Sequence, residues 1–243
     1  MVISDKGGTC PVECRVGEGV GERLIRGRLD VVGRESMEAA ITLVAVNAAR
    51  LRSWLCPADE EDVPLPLHNR HTDLCLEFGK TEWAKSGNSA AAAAALELTC
   101  FLARRPVRAA DIAVTGTIDL RGRLGAVSGV QEKIRHAFES TAVGSLVLPS
   151  FNYDHLKRDA WPAELSAWCS TRLLRAANLV ELLELTVEGA WLGRRRPCLP
   201  AAWLPVGPSA ILDCPRCWPL VQASAAPPRW RRRWTALKSA WAA

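Results

Sequence analysis

Two residues in this chain have the types and settings for nucleophilic catalysis. In Lys85-Ser86-Gly87-Asn88-Ser89-Ala90 a small-residue turn delivers Ser89 to a run of alanines from Ala90 to Ala95, and Lys133 follows 44 residues later in Ser128-Gly129-Val130-Gln131-Glu132-Lys133. A serine hydroxyl is a weak nucleophile until a base removes its proton, and a lysine is a base only while its amine is neutral. Near neutral pH an exposed lysine is protonated, so a lysine base must lose water or face another positive charge.

The surrounding pattern offers each residue such a setting. Ser128 and Gln131 have capping-box spacing, which predicts a helix start, and Val130, Ile134, Ala137 and Phe138 then fall on one buried stripe. Lys133 lies at the edge of that stripe, where its ammonium loses hydration. Ser89 falls at the first turn of a helix expected to run to about Arg105 and to end at Pro106. Exposed N–H groups and the positive end of the helix dipole favour negative charge there, so the backbone N–H groups of Asn88, Ser89 and Ala90 are the candidate oxyanion hole. The same residues also fit a purely structural role, with Asn88 or Ser89 capping the helix and Lys133 laying its stem along the core with its amine in water.

These residues must be positioned by a mixed set of elements. Glycines at 17, 19, 21, 27 and 33 divide residues 9–34 into two expected strands with a turn around Gly17 to Gly21. From Ser36, the residues Met37, Ala40, Ile41, Val44, Ala48 and Leu51 mark one face of a helix. Residues 52–72, with three prolines and the acidic run Asp59-Glu60-Glu61-Asp62, read as a surface loop. Its His68 and His71 could join Asp73 at a metal, although a solvated loop explains them without one. Asp73 to Phe78 alternates as a strand, residues 111–120 form a second strand turned at Arg121 to Gly125, residues 145–149 form a third, and Leu179 to Val187 reads as a closing helix. The class expected is α+β, with helices packed on a small mixed sheet.

Composition narrows the setting. The 243 residues are long enough for a substantial core, and no run of 18 uncharged apolar residues occurs. Nine scattered cysteines argue against a disulfide framework, so a reducing cytoplasm is expected. Cys10 and Cys14 with Cys214 and Cys217 make an unconvincing zinc set, and no metal or other cofactor is expected. Residues 190–243 carry eight arginines and one lysine against the single acid Asp213, about +8, whereas the preceding 189 residues, 22 basic against 25 acidic, carry about −3. A domain boundary is placed near Gly189, separating residues 1–189 from a Pro-, Arg- and Trp-rich extension, 190–243. Within it Arg229-Trp230-Arg231-Arg232-Arg233-Trp234 has the basic and aromatic pattern of a contact to nucleic acid or an anionic membrane, or of a flexible tail.

An ordered series of motifs resembles the proteolytic domain of the Lon family of ATP-dependent serine proteases. Gly87-Asn88-Ser89-Ala90-Ala91 is similar to the family's Gly-Pro-Ser-Ala-Gly, Val114-Thr115-Gly116 and Leu120-Arg121-Gly122-Arg123 resemble the strand and loop that follow, and Gly129-Val130-Gln131-Glu132-Lys133 resembles Gly-Leu-Lys-Glu-Lys. Coverage extends over about residues 9–188. The resemblance implies an endopeptidase with Ser89 as nucleophile, Lys133 as base and Thr115 as a neighbour that helps place the lysine amine. Protein or peptide substrates and a hexameric ring are implied as well. Because no Gly-x-x-x-x-Gly-Lys-Ser/Thr phosphate loop occurs in the chain, a separate ATPase, unfoldase or sensor is the expected partner. Departures from the family pattern are Cys75 and Glu77 where histidines are frequent, Ser86 for an acid, Thr117 for a glutamate and Ser128 for a glycine. The alternative within the same fold is an inactive scaffold, a role that usually goes with loss of the serine or the lysine.

Overall fold

The computed structural model describes residues 1–3, 8–55, 71–79, 85–158 and 161–187. A short antiparallel pair, β1 (Val2–Ile3) and β2 (Thr9–Cys10), precedes β3 (Val12–Glu18) and β4 (Arg23–Arg26). Two helices follow, α1 (Val31–Val46) and α2 (Ala48–Leu55), and then β5 (Thr72–Phe78). The glycine-rich turn between β3 and β4 is where the sequence places it, yet the two strands do not form a hairpin. β5 lies between them, antiparallel to β3 and parallel to β4.

A single carboxylate accounts for that arrangement locally. The N–H groups of Val20, Gly21 and Glu22 all donate to Asp73 Oδ1, at 2.8, 2.9 and 2.7 Å, so the turn closes around the head of β5. Asp73 Oδ1 is thus taken up by backbone N–H groups, while the suggested metal partner His68 lies outside the described residues. Beyond Asp73 the strand alternates, with Leu74, Leu76 and Phe78 each no more than 1% exposed, as expected for a central strand with one face on the core.

α1 starts five residues ahead of Ser36 because Asp30 caps it, its side chain accepting from Gly33 N at 2.7 Å. The stripe expected to continue to Leu51 is interrupted at Asn47, whose side-chain amide bonds back to Leu43 O at 2.9 Å. The chain resumes as α2, which still brings Leu51 to full burial and extends helix to Leu55, into the segment expected to be loop.

α3 (Ala91–Ala103) runs through the centre, against α1, α2 and β3. Its first five residues are all alanine and at most 3% exposed, which lets neighbouring backbones approach on every side without the entropy cost of longer side chains. The helix stops at Arg104, which adopts a left-handed conformation (φ 50°), ahead of Pro106. The strand expected over 111–120 is divided into β6 (Ile112–Val114) and β7 (Thr117–Ile118), because the backbone of Gly116 turns toward the start of α3 while Thr115 N stays bonded to Val147 O. β8 (Leu124–Gly125) pairs with β7.

α4 (Val130–Glu139) then leads to β9 (Ser145–Pro149). Residues 150–178, where no strong periodicity stands out, form α5 (Ser150–Asp154), α6 (Ala163–Arg172) and β10 (Leu173–Ala176), before α7 (Leu179–Thr186), capped by Asn178. β6, β9 and β10 make an all-parallel sheet in the order β10-β9-β6, and α4 and α6 cover it around Ile134, Ala137, Leu146, Leu148, Leu165 and Leu173. The class is α+β. No described helix is long and apolar enough to cross a membrane. The boundary near Gly189 and the 190–243 extension lie outside the described residues.

Two expected outcomes follow from these environments. Hydrogen bonds, foremost from Glu22 N, hold the Asp73 carboxyl below its usual range. Its contribution to stability is then full above the unfolded-state value of about 4 and is lost as pH falls from there through the lower folded value. The Tm gap between wild type and Asp73→Ala, measured by thermal melts, should be open at neutral pH and should close in acid. Burial pushes the thiols of Cys14 and Cys100 up to about 12. Both should resist iodoacetamide at pH 8 in the native protein and react after unfolding in guanidinium, as read by mass spectrometry.

Candidate active site

The turn that carries Ser89 is fastened to the segment before α1. Lys85 N donates to Arg28 O and Asp30 N to Lys85 O, each at 3.0 Å, and the Lys85 ammonium donates to Gly27 O at 3.0 Å. Gly87 then takes φ +86°, a conformation open to glycine, and its N–H faces the Asp30 carboxylate at 3.2 Å. At the N-cap of α3 stands Ala90, with no side-chain capping bond, so neither Asn88 nor Ser89 takes the structural role that the sequence left open. Among the described residues, no acceptor meets the N–H groups of Asn88, Ser89 and Ala90.

Lys133 approaches from the other half of the molecule. The expected capping box is not formed: Gly129, in a left-handed conformation (φ 63°), occupies the N-cap with no side-chain bond, and Ser128 is exposed. Lys133 points inward. It is 3% exposed, whereas Phe138, expected in the buried stripe, is 37% exposed and meets Trp168 edge-on. The Lys133 amine donates to Ser89 Oγ at 3.1 Å.

Thr115 is fully buried beside them, and its hydroxyl donates to the Ser89 carbonyl at 3.3 Å. Gly116 N donates to the same carbonyl at 2.8 Å, and Gly116 O accepts from Ala92 N at 3.0 Å. The break between β6 and β7 thus holds the backbone of Ser89 from below, while Thr115 N remains tied to Val147 O of β9 at 3.1 Å. On the lysine side, the Asn152 amide takes both the N–H and the carbonyl of Val127, each at 2.9 Å, bracing the loop that enters α4. An open cleft of about 410 Å³ lies beside the first turn of α4, with Asn152 and His155 on its opposite wall.

The residues singled out for a serine–lysine site, Ser89, Lys133, Thr115, Asn88 and Ala90, come together here, and Thr115, expected to help place the lysine amine, is seen bonded to the Ser89 carbonyl. Sequence reasoning missed Asp30, Gly116 as a backbone partner, and Asn152. Asp30 carried a signal, an aspartate three residues before Gly33 at the head of an apolar-periodic stretch. Of the residues that depart from the family pattern, Ser86 lies within the turn and Ser128 in the loop entering α4, whereas on β5 Glu77 is exposed and Cys75 half-buried, opposite Glu13 and Arg15 of β3.

Comparison with known proteins identifies the family of the chain. Residues 1–170 match the family model of the Lon protease (S16) C-terminal proteolytic domain. Among curated relatives, Lon protease 1 of Sorangium cellulosum is 34% identical over 154 residues, which is 63% of this chain and 17% of that protein. Lon protease 1 of Thermus thermophilus is 33% identical over 152 residues, 62% of this chain and 18% of that protein. Lon protease of Xanthomonas oryzae pv. oryzae is 28% identical over 177 residues, 73% of this chain and 19% of that protein. The chain matches less than a fifth of the length of each of these relatives. With the family model covering well over half of its residues, the chain belongs to the Lon protease (S16) C-terminal proteolytic domain family.

Proposed function

We propose that the chain is a serine endopeptidase that hydrolyses peptide bonds in protein substrates with Ser89 as nucleophile and Lys133 as general base. The observation that carries this reading is the 3.1 Å approach of the Lys133 amine to Ser89 Oγ at a lysine only 3% exposed. Exclusion of water favours the neutral amine, the form able to accept a proton. In this mechanism Lys133 takes the Ser89 proton as Oγ attacks the scissile carbonyl carbon. The N–H groups of Asn88, Ser89 and Ala90 receive the developing oxyanion. The lysine ammonium returns the proton to the leaving amine, which departs as the carbonyl re-forms and leaves an ester on Ser89. Water then attacks that ester, with Lys133 again accepting the proton and passing it back to Ser89 Oγ.

Thr115 supports the pair by holding the Ser89 carbonyl, a contact that fixes where Oγ starts its attack. Folded substrates need to be opened before a peptide bond can reach this turn. With no phosphate-loop motif within the 243 residues, we assign that work to an ATPase outside them, and we take a ring of copies as the working assembly on the strength of family membership. The alternative of an inert scaffold is disfavoured by retention of both side chains within hydrogen-bond distance.

Cleavage of casein or an unfolded peptide by the intact chain, compared with Ser89→Ala and Lys133→Ala, tests the assignment. Each substitution should lower kcat on the order of a thousandfold or more with the fold retained by circular dichroism. Equal cleavage by all three proteins would overturn the pair. Thr115→Val should lower kcat by roughly tenfold while Thr115→Ser, which keeps the hydroxyl, stays near wild type in the same assay.

A further inference from the structure

We infer that Asp30 is a positioning residue for the nucleophile, its one carboxylate both starting α1 and holding the turn that delivers Ser89. This rests on the reading of Ser89 as the nucleophile. Asp30 Oδ1 accepts from Gly33 N at 2.7 Å, an ordinary N-cap bond that needs a single oxygen. The carboxylate is also shared with Gly87: the Gly87 N–H points between its two oxygens, at 3.3 Å from Oδ1 and 3.2 Å from Oδ2. Gly87 lies two residues before Ser89 and belongs to a different segment, 57 residues from Asp30.

The backbone around Asp30 shows why this side chain is well placed for the task. Leu29 and Lys85 form an isolated parallel bridge, and the bonds from Lys85 N to Arg28 O and from Asp30 N to Lys85 O zip the two segments together up to Lys85. Beyond that point no ladder continues, and the chain passes through Ser86 and through Gly87 at φ +86° before reaching Ser89. A glycine in that region has the widest backbone freedom of any residue, so an external partner is needed to select one path. The Asp30 carboxylate supplies it.

Gly33 fits the same arrangement. Glycine in the first turn of a helix weakens it, yet a Cβ at this position would come within 3.0 Å of Asp30 Oδ1 and 3.4 Å of Gly87 O. The missing side chain allows the head of α1 and the nucleophile turn to approach one carboxylate together. Serine attack depends steeply on geometry, and a displacement of about 1 Å costs on the order of a hundredfold in rate.

Asp30→Ser separates capping from positioning. Serine caps helices about as well as aspartate, but its single hydroxyl on a shorter arm cannot serve Gly33 N and Gly87 N together. In the full chain, hydrogen exchange of Asp30→Ser should be faster over residues 85–89 with the first-turn amides of α1 and the Tm preserved. Casein cleavage should lose kcat by about ten- to a hundredfold at unchanged KM. Asp30→Asn, which keeps an acceptor oxygen at the same reach, should recover most of that kcat. Wild-type exchange over 85–89, or wild-type kcat, in Asp30→Ser would overturn the inference and leave the protease reading intact. Loss of Tm and kcat in parallel in both variants would assign Asp30 to capping alone and overturn it too. If the wild type cleaves no better than Ser89→Ala, the proposed function itself fails and the positioning role with it, whatever the exchange shows.

Discussion

The arrangement depends on keeping one lysine amine dry against one serine hydroxyl. A buried amine is costly unless it gains partners, and its burial is tolerable only where the surrounding packing is firm enough to hold it. Lys133 meets that condition because it is followed directly by Ile134, and with Ala137 this residue anchors α4 on the parallel sheet of β6, β9 and β10. Ser89 is held by a different body of packing, the α1, α3 and β5 side of the molecule. The 3.1 Å contact is therefore a junction between two halves, the apolar cluster beneath α4 and the packing of α1 against α3. Small errors in either half appear directly in the distance between Oγ and Nζ.

The interruption between β6 and β7 keeps the two halves in register. An unbroken strand over residues 111–120 would satisfy Thr115 and Gly116 within a ladder. Instead Thr115 N stays with β9, while the Thr115 hydroxyl and Gly116 N turn to the Ser89 carbonyl, so one dipeptide is bonded to both halves. Close approach makes this possible. A Cβ on Gly116 would stand 3.2 Å from the Ala92 side chain and 3.3 Å from Pro149, so the alanine run and the glycine are two sides of one constraint. The small residues of α3 are there for backbone access as much as for helix propensity.

Local pattern made much of this legible. Apolar spacing located α1, α4 and α7, and a serine at a small-residue turn before alanines located the start of α3 and the turn that meets Lys133. Legibility ended where partners are distant in sequence. β5 separates β3 from β4 because Asp73 gathers three N–H groups about fifty residues away, and no periodicity within 9–34 records that. Similarly, the spacing of Ser128 and Gln131 suggested a capping box, but Gly129 supplies the cap geometry through its backbone, and what α4 packs against leaves Lys133 buried and Phe138 37% exposed. Asn152 was silent because its only signature is a pair of bonds to a loop 25 residues upstream.

The departures from the family pattern can be ordered by the same physical criterion. Ser89, Lys133, Thr115 and Gly116 build the contact, and each retains the type that the motifs call for. Glu77 faces solvent from β5, and Cys75 stands on the face of that strand opposite Leu74 and Leu76, away from the core that supports Ser89. Thr117 lies just past the break, its hydroxyl filling the space that a side chain on Gly125 would need, so its neighbours are the β7 and β8 turn. Changes at these positions leave the bonds that fix Oγ and Nζ untouched.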